Sequence, residues 1–176
     1  MPCLSEILGQ ASAITALRRA IAAGRLAQGY LFCGPPGAGK ASTALRLAAA
    51  LNCTTSPSEG CDSCEHCRRF AEGLHPDLVQ ITPDGAQIKI DQIRPLEETL
   101  AFAPHEARIR VIVLNGAELL NLNAANALLK SLEEPRPGNL FVLVSAAPHR
   151  GAPTLVSRCQ RLRFLPLAET VVEHRG

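Results

Sequence analysis

The sequence has no tryptophan, and aromatic residues make up only 3% of its 176 residues. Few rings are therefore present on which exposed bases could stack, so a platform for single-stranded nucleic acid is not expected. The net charge of +2 is also too small to indicate the concentrated basic field with which proteins follow phosphate backbones. Any contact with DNA should therefore be local.

Long apolar runs are missing as well. None approaches the roughly 20 apolar residues of a membrane-spanning helix, and the N-terminal segment, with Glu6 near its start, lacks the apolar core and cleavage site of a secretory signal. The sequence therefore predicts a soluble, cytoplasmic protein without a membrane partner. In that compartment an odd number of cysteines, seven, argues against a disulfide framework and favours a metal site or simple burial.

The chain alternates short apolar runs with amphipathic stretches. The apolar runs predict strands over residues 30–33, 78–81, 109–114, 140–145 and 162–165. Helical spacing predicts helices over residues 12–23, 42–51 and 117–134. Strands that alternate with helices form a parallel sheet covered on both faces, so we predict an α/β fold. We expect a core domain over residues 1–165 and, over 166–176, the start of a truncated helical domain.

Residues 34–40, GPPGAGK, form a glycine-rich loop between a predicted strand and a predicted helix. Backbone N–H groups and the helix N-terminus of such a loop cradle phosphates, and its lysine reaches them. A plain strand-to-helix turn of the same composition is the alternative. The candidate nucleotide-binding residues are Gly34, Gly37, Gly39, Lys40, Ala41 and Ser42.

The groups that would hold magnesium are missing from this loop and from the strand that should accompany it. A hydroxyl should follow the lysine as a magnesium ligand, but the position is Ala41, and Ser42 is rotated by about 100° around the helix. A carboxylate should end the strand at 109–114, but Asn115 and Gly116 follow it. We therefore expect no hydrolysis, no organised magnesium, and ATP or ADP only as a ligand that is not turned over.

Four cysteines lie close together in the segment CTTSPSEGCDSCEHC. Four thiolates can close a tetrahedral zinc site, and the CxxC spacing presents two sulfurs to one ion. The alternative is a set of buried cysteines without metal. His66 lies inside the segment and could replace a ligand, although a solvated histidine is the simpler interpretation. The candidate zinc ligands are Cys53, Cys61, Cys64 and Cys67, whereas Cys3, Cys33 and Cys159 have no partner at useful spacing.

Three further stretches make a family resemblance specific. They are residues 126–135, NALLKSLEEP, the strand end at Ser145, and residues 157–159, Ser-Arg-Cys. With the loop and the cysteines, they resemble the clamp-loader branch of AAA+ proteins over nearly the whole chain and in the expected order. The resemblance implies an AAA+ P-loop-type core over 1–165, an inserted four-cysteine zinc module at 53–67, and the start of a helical lid at 166–176.

The resemblance also implies a role in bacterial DNA polymerase III. The delta-prime subunits of that family resemble this chain in having a degraded magnesium site, whereas the gamma/tau motor subunit has an intact one. The implied partners are the other clamp-loader subunits (gamma/tau and delta), the sliding clamp and primer-template DNA, in a hetero-oligomer. Arg158 of the Ser-Arg-Cys element would act in trans as an arginine finger in a neighbouring nucleotide site. Without the motif, it would be a solvated surface arginine.

A basic stretch follows Pro135, and two other functions compete with the leading one. The stretch is either a solvated face or a surface that meets a neighbour's nucleotide or DNA phosphates. It contains Arg136, Arg150, Arg158, Arg161 and Arg163.

An active ATPase like gamma/tau is the first alternative to a non-hydrolysing subunit. The second is a zinc-dependent DNA-binding module, which the acidic residues Glu59, Asp62 and Glu65 of the cysteine segment disfavour.

Overall fold

The computed structural model describes residues 4–167, in which five strands form one parallel sheet. The strands are β1 (Gly29–Cys33), β2 (Leu78–Ile81), β3 (Arg110–Asn115), β4 (Asn139–Ser145) and β5 (Gln160–Arg163). Their order across the sheet is β2-β3-β4-β1-β5. The helices are α1 (Ala11–Ala22), α2 (Lys40–Asn52), α3 (Glu65–Ala71), α4 (Ile90–Leu100), α5 (Leu122–Glu133) and α6 (Pro153–Ser157).

The three central strands β1, β3 and β4 are buried on both faces, as their continuous apolar runs predicted. Successive side chains of a strand point to opposite faces, so Tyr30 and Phe32 of β1 enter a core formed with α1, α2 and α3. Leu31 and Cys33 enter a second core formed with α4, α5 and α6. The predicted α/β class with a helix-flanked parallel sheet is therefore confirmed. Within residues 4–167, no helix is long and apolar enough to cross a membrane.

One predicted helix was wrong in its extent. The expected helix over 117–134 is a short 3-10 turn at Ala117–Leu119 followed by α5, and the backbone of Leu120 between them is extended. The Asn121 side chain accepts a hydrogen bond from the N–H of Ala124 at 2.9 Å and so caps α5. The Leu119 carbonyl and the Asn121 N–H bond instead to the backbone of Ile88. Helical spacing alone did not reveal this interruption.

A buried charged pair organises the opposite edge of the sheet, where the strands begin. The carboxylate of Asp77 accepts hydrogen bonds from the backbone N–H groups of His105, Glu106 and Ala107 at 2.6 to 2.7 Å. The buried guanidinium of Arg110 lies 3.9 Å from the same carboxylate. Burial by itself would raise the pKa of Asp77, but the three N–H donors outweigh it and lower this pKa.

Replacing Asp77 with asparagine is expected to lower the free energy of unfolding at neutral pH by about 3 kcal/mol, because Arg110 would remain buried without its counter-charge. The folded-state pKa of Asp77 is depressed, so its stabilisation is present above the unfolded pKa of about 3.9 and is lost as the pH falls through the folded pKa. Urea unfolding measured at pH 7 and in acid should therefore show that acidification lowers the free energy of unfolding less in the variant than in the wild type. Asp91→Asn, which removes an exposed ion pair with Arg94, is the matched control and should change stability by less than about 0.5 kcal/mol. Equal effects of the two substitutions would contradict this assignment.

Candidate functional site

Three strand ends meet at the edge of the sheet that carries the glycine-rich loop. Because β1, β4 and β3 are parallel neighbours, their carboxyl ends lie side by side. The N–H of Gly34 donates to the carbonyl of Ser145 at 3.2 Å, and the N–H of Gly116 donates to that of Val144 at 2.9 Å. The residues predicted at the phosphate loop, at the end of β3 and at Ser145 are therefore neighbours, in the crevice where α/β proteins bind ligands.

The loop from 34 to 39 leads directly into α2, which begins at Lys40. Gly39, at the N-cap, has φ +90°, a left-handed conformation in which a side chain is disfavoured. The ammonium of Lys40 donates to the carbonyls of Gly34 and Pro35. Burial lowers the pKa of Lys40, although nearby Glu118 and Cys33 oppose the shift. The loop thus has the backbone shape of a phosphate cradle with its lysine folded across it.

The hydroxyls nearest to the lysine turn back onto the helix. Ser42 donates to the carbonyl of Gly39 at 3.3 Å, and buried Thr43 donates to the same carbonyl at 2.7 Å. At the end of β3, the side chain of Asn115 is half-buried and Gly116 begins the next turn. Neither the position after Lys40 nor the end of β3 therefore supplies the hydroxyl or the carboxylate of the usual magnesium site.

Glu118 is a site residue that the sequence analysis missed. Its carboxylate accepts a hydrogen bond from the hydroxyl of Ser145 at 2.6 Å, and that hydroxyl accepts one from the N–H of Ala147 at 3.1 Å. Glu118 is also near enough to Lys40 to act on its pKa. No motif marks an acidic residue at this position, so only the three-dimensional structure brings it to the strand ends.

Arg158 lies at the C-cap of α6 with its side chain 55% exposed. Its guanidinium pairs with the carboxylate of Glu133, the last residue of α5, at 3.2 Å. The basic stretch does not follow one element. Arg136 donates to the carbonyl of Ala101 just after α4. Arg161 and Arg163, in contrast, are exposed on the edge strand β5.

The four predicted zinc ligands come together in the structure. Their sulfur atoms all lie within 4.8 Å of one another, and the sulfurs of Cys53 and Cys64 are 3.9 Å apart. A tetrahedral site with Zn–S bonds of about 2.3 Å has S···S edges of about 3.8 Å. Cys53 follows the end of α2, and Cys64 is the N-cap of α3. The donor set and its spacing therefore fit zinc.

Hydrogen-bond donors surround the sulfur of Cys61. The Ser63 hydroxyl donates to it at 3.5 Å and the N–H of Cys64 at 3.2 Å. The Ser63 side chain, with the backbone N–H groups of Ser63 and Cys64, lowers the pKa of Cys61 to about 5. Burial raises the pKa of Cys67 to about 12. A soft divalent metal stabilises the thiolate form that binds it, so the loop and the ion would support each other.

The cysteine segment packs against the core that contains α2. Cys67 and Phe70 are buried in the same core as α2, and the N–H of Ser58 donates to the carbonyl of Ala50 at 3.0 Å. Ser58 and Asp62 have left-handed backbones, with φ +75° and +63°. The segment is therefore a folded extension of the domain.

His66 is neither the fourth-ligand substitute nor the solvated residue that the sequence left open. Its Nδ1 lies 2.8 Å from Nε2 of His75, a buried residue that stacks on Phe70. The Nδ1 of His75 accepts from the N–H of Asp77 at 3.0 Å, so its Nε2 carries the hydrogen and donates it to His66. Burial, followed by the charge of Arg69, lowers the pKa of His75.

The two other cysteines that the structure describes, Cys33 and Cys159, lie apart from the cluster. Cys33 is buried at the end of β1, and burial raises the pKa of Cys159 to about 11 with a smaller contribution from Cys33. Cys3 lies outside the described residues.

Comparison with known sequences decides the family. A family model described as DNA polymerase III, delta subunit matches residues 9–168. The chain belongs to this family. The resemblance to delta-prime predicted from the sequence is confirmed by two members of the family. The delta-prime subunit of Bacillus subtilis is 41% identical over 151 residues, and that of Pseudomonas aeruginosa is 42% identical over 154 residues.

The matches extend over most of this chain but over less of its relatives. The alignments cover 86% and 84% of the chain and 46% of each delta-prime subunit, so the chain spans about half of their length. The DNA polymerase III subunit tau of Bacillus subtilis is 34% identical to this chain over 172 residues. The alignment covers 97% of this chain and 30% of tau. Delta-prime and tau subunits are thus both similar to this chain.

Solved structures confirm the AAA+ fold. A gamma subunit-related protein of DNA polymerase III from Thermotoga maritima has a TM-score of 0.64 at 23% identity. The match covers 90% of the present chain and 47% of the Thermotoga protein. A RuvB variant from the same organism has a TM-score of 0.61 at 16% identity, over 93% and 48% of the two chains.

Proposed function

We propose that the chain is the ATPase-like core of a delta-prime-like clamp-loader subunit that supports loading of the sliding clamp without hydrolysing ATP itself. The observation that carries this proposal is the incomplete magnesium site. The strand ends and loop have the form of a nucleotide site, but Ser42 and Thr43 bond to Gly39 and an amide ends β3. An amide is a weaker ligand than a carboxylate for a hard divalent ion.

The partners would be the gamma/tau and delta subunits, the sliding clamp and primer-template DNA, in a hetero-oligomer. Arg158 would reach the nucleotide of a neighbouring subunit and stabilise charge on the phosphate transferred there. Its position after a short helix and its half-exposed side chain leave it accessible to such a neighbour. The pairing with Glu133 is an exposed one, which a stronger anion can displace at little cost.

Zinc would bind the four clustered cysteines and complete a structural site with no open position for chemistry. The residual phosphate loop would accept ATP or ADP through its backbone and Lys40, without an organised magnesium ion. The proposed domain division is an AAA+ core over 1–165 that would include the zinc module at 53–67. The helical lid proposed over 166–176 lies, from residue 168 on, outside the described residues.

The chain is expected to show no magnesium-dependent ATP hydrolysis, and Ala41→Ser alone should not restore it. The restored hydroxyl would still lack the carboxylate that organises the ion, because Asn115 and Gly116 end β3. Release of inorganic phosphate by highly purified protein is the measurement, with a gamma/tau motor subunit assayed in parallel as the positive control. Turnover by the wild type at the rate of that control would reject the proposal in favour of an active gamma/tau-like ATPase.

A DNA-binding role for the zinc module is not favoured by its surroundings. Arg69 of α3 is engaged by the carboxylates of Glu106 and Glu65. A basic residue neutralised in this way contributes little to binding a phosphate backbone.

A further inference from the structure

Gln10 joins three parts of the chain that are far apart in sequence. Its side chain is 2% exposed and its amide makes three hydrogen bonds to backbone groups. Nε2 donates to the carbonyls of Ala38 at 3.0 Å and Leu165 at 2.8 Å, and Oε1 accepts from the N–H of Leu165 at 2.8 Å. A single buried side chain thus ties the phosphate loop to the segment that follows β5.

The bond to Ala38 has a consequence for the phosphate cradle. In a trans peptide the C=O and the following N–H point in opposite directions. Because the carbonyl of Ala38 points toward the buried amide of Gln10, the N–H of Gly39 is turned away from Gln10 and inward, toward the cavity that residues 36–42 line. Inward N–H groups are the donors with which such a loop binds phosphate.

Close packing reinforces the connection. A Cβ at Gly34 would clash with the carbonyl oxygen of Phe164, so the first glycine of the loop is also required by the segment after β5. A Cβ at Gly9, where φ is +77°, would lie 2.7 Å from the side chain of Leu167. The N–H of Phe164 donates to the carbonyl of Cys33 at 2.6 Å. Phe164 therefore packs against Gly34 of the loop, and Leu167 packs against Gly9, the neighbour of Gln10.

We infer that Gln10 is a positioning residue for the phosphate loop, which orients the N–H of Gly39 toward a bound phosphate and couples that phosphate to the backbone of Leu165. Fixed donors bind an anion better than mobile ones because no reorganisation is needed on binding. The coupling is reciprocal, so a phosphate in the loop should stabilise the bonds at Leu165. The inference rests on the residual phosphate loop of the proposed function.

Gln10→Leu is the informative variant, and Asn52→Leu is its matched control. Asn52 is likewise buried, and its side-chain amide makes three backbone hydrogen bonds, to the carbonyls of Ala48 and Ile109 and from the N–H of Ile109. Both substitutions remove an amide of the same bonding capacity, but only Gln10 contacts the loop. Loss of stability alone would therefore affect the two variants alike.

ADP binding by the full chain, measured by calorimetry, should weaken about tenfold in Gln10→Leu, as expected for a charge-assisted hydrogen bond, and less than twofold in Asn52→Leu. In the wild type, ADP should also slow hydrogen exchange of the Leu165 amide, a measurement that remains decisive if Gln10→Leu does not fold. Equal affinities of the two variants, or unchanged exchange at Leu165, would overturn the inference. Absence of ADP binding by the wild type would also overturn it, but would leave the non-hydrolysing role, which the phosphate-release assay tests, in place.

Discussion

Replacing Arg158 with alanine is expected to lower ATP turnover by about 10³-fold or more at the neighbouring site that the arginine is proposed to serve. An arginine supplied in trans contributes about 10³ to 10⁵ in rate to phosphoryl transfer because it neutralises charge that develops in the transition state. In an assembly with several nucleotide sites, the effect on total turnover should be smaller, because Arg158 would serve only one of them. Turnover with clamp and primed DNA, measured with the full-length subunit, is the appropriate test.

The same substitution should leave the subunit itself almost unchanged. Arg158 and Glu133 form an exposed ion pair, with side chains 55% and 40% exposed, and such pairs contribute at most about 1 kcal/mol. Thermal unfolding and zinc content should therefore match the wild type. Arg163→Ala is the control, because Arg163 is an exposed arginine on the edge strand β5 outside the Ser-Arg-Cys element. Full activity of the loader with alanine at 158 would return Arg158 to the class of surface arginines.

Protein prepared under reducing, metal-replete conditions is expected to contain about one zinc ion per chain, and Cys64→Ser should remove it. Structural zinc sites contribute about 10 to 16 kcal/mol of apparent binding free energy, so the loss of one of four thiolates is severe. Because Cys67 and Phe70 lie in the core beside α2, metal loss should also lower the melting temperature. Metal analysis and thermal unfolding measure the two effects.

Cys159→Ser is the control for the zinc site, since Cys159 is a partly buried cysteine outside the cluster. It should keep the full metal content. A chelator should loosen residues 53–67 in the wild type and make the amides of that segment exchange faster, while exchange in β1 and β4 stays slow. Metal-free protein from a zinc-supplemented preparation would refute the assignment, as would zinc retained in full by Cys64→Ser.

Much of the fold could be read from short stretches of sequence. The strand predicted over 140–145 agrees to within one residue with β4 (Asn139–Ser145), because a buried strand of a parallel sheet is a short apolar run between polar residues. The helix at Glu65–Ala71 was missed because it is short and begins inside the cysteine segment, which ends at Cys67. The helix at Ile90–Leu100 was not placed either, and it contains Pro95, a residue that normally ends a helix.

The candidate functional sites also differ in whether the sequence alone reveals them. The sequence by itself predicted the phosphate loop and the four cysteines, because each is a pattern of residues within about fifteen positions of one another. It predicted the missing magnesium ligands from the residues that directly follow Lys40 and the strand at 109–114. Such spacing constrains local geometry, and the sulfurs indeed lie within 4.8 Å of one another. The family resemblance rested on short motifs of the same kind.

Only the tertiary structure decided which polar groups meet across the sheet. Glu118 reaches Ser145 from 27 residues away, and Gln10 reaches Leu165 from 155 residues away. These contacts have no periodicity, and the partner of Gln10 is backbone, which every residue possesses. They exist because a parallel sheet brings the ends of distant strands to one edge, where buried polar groups must find hydrogen-bond partners.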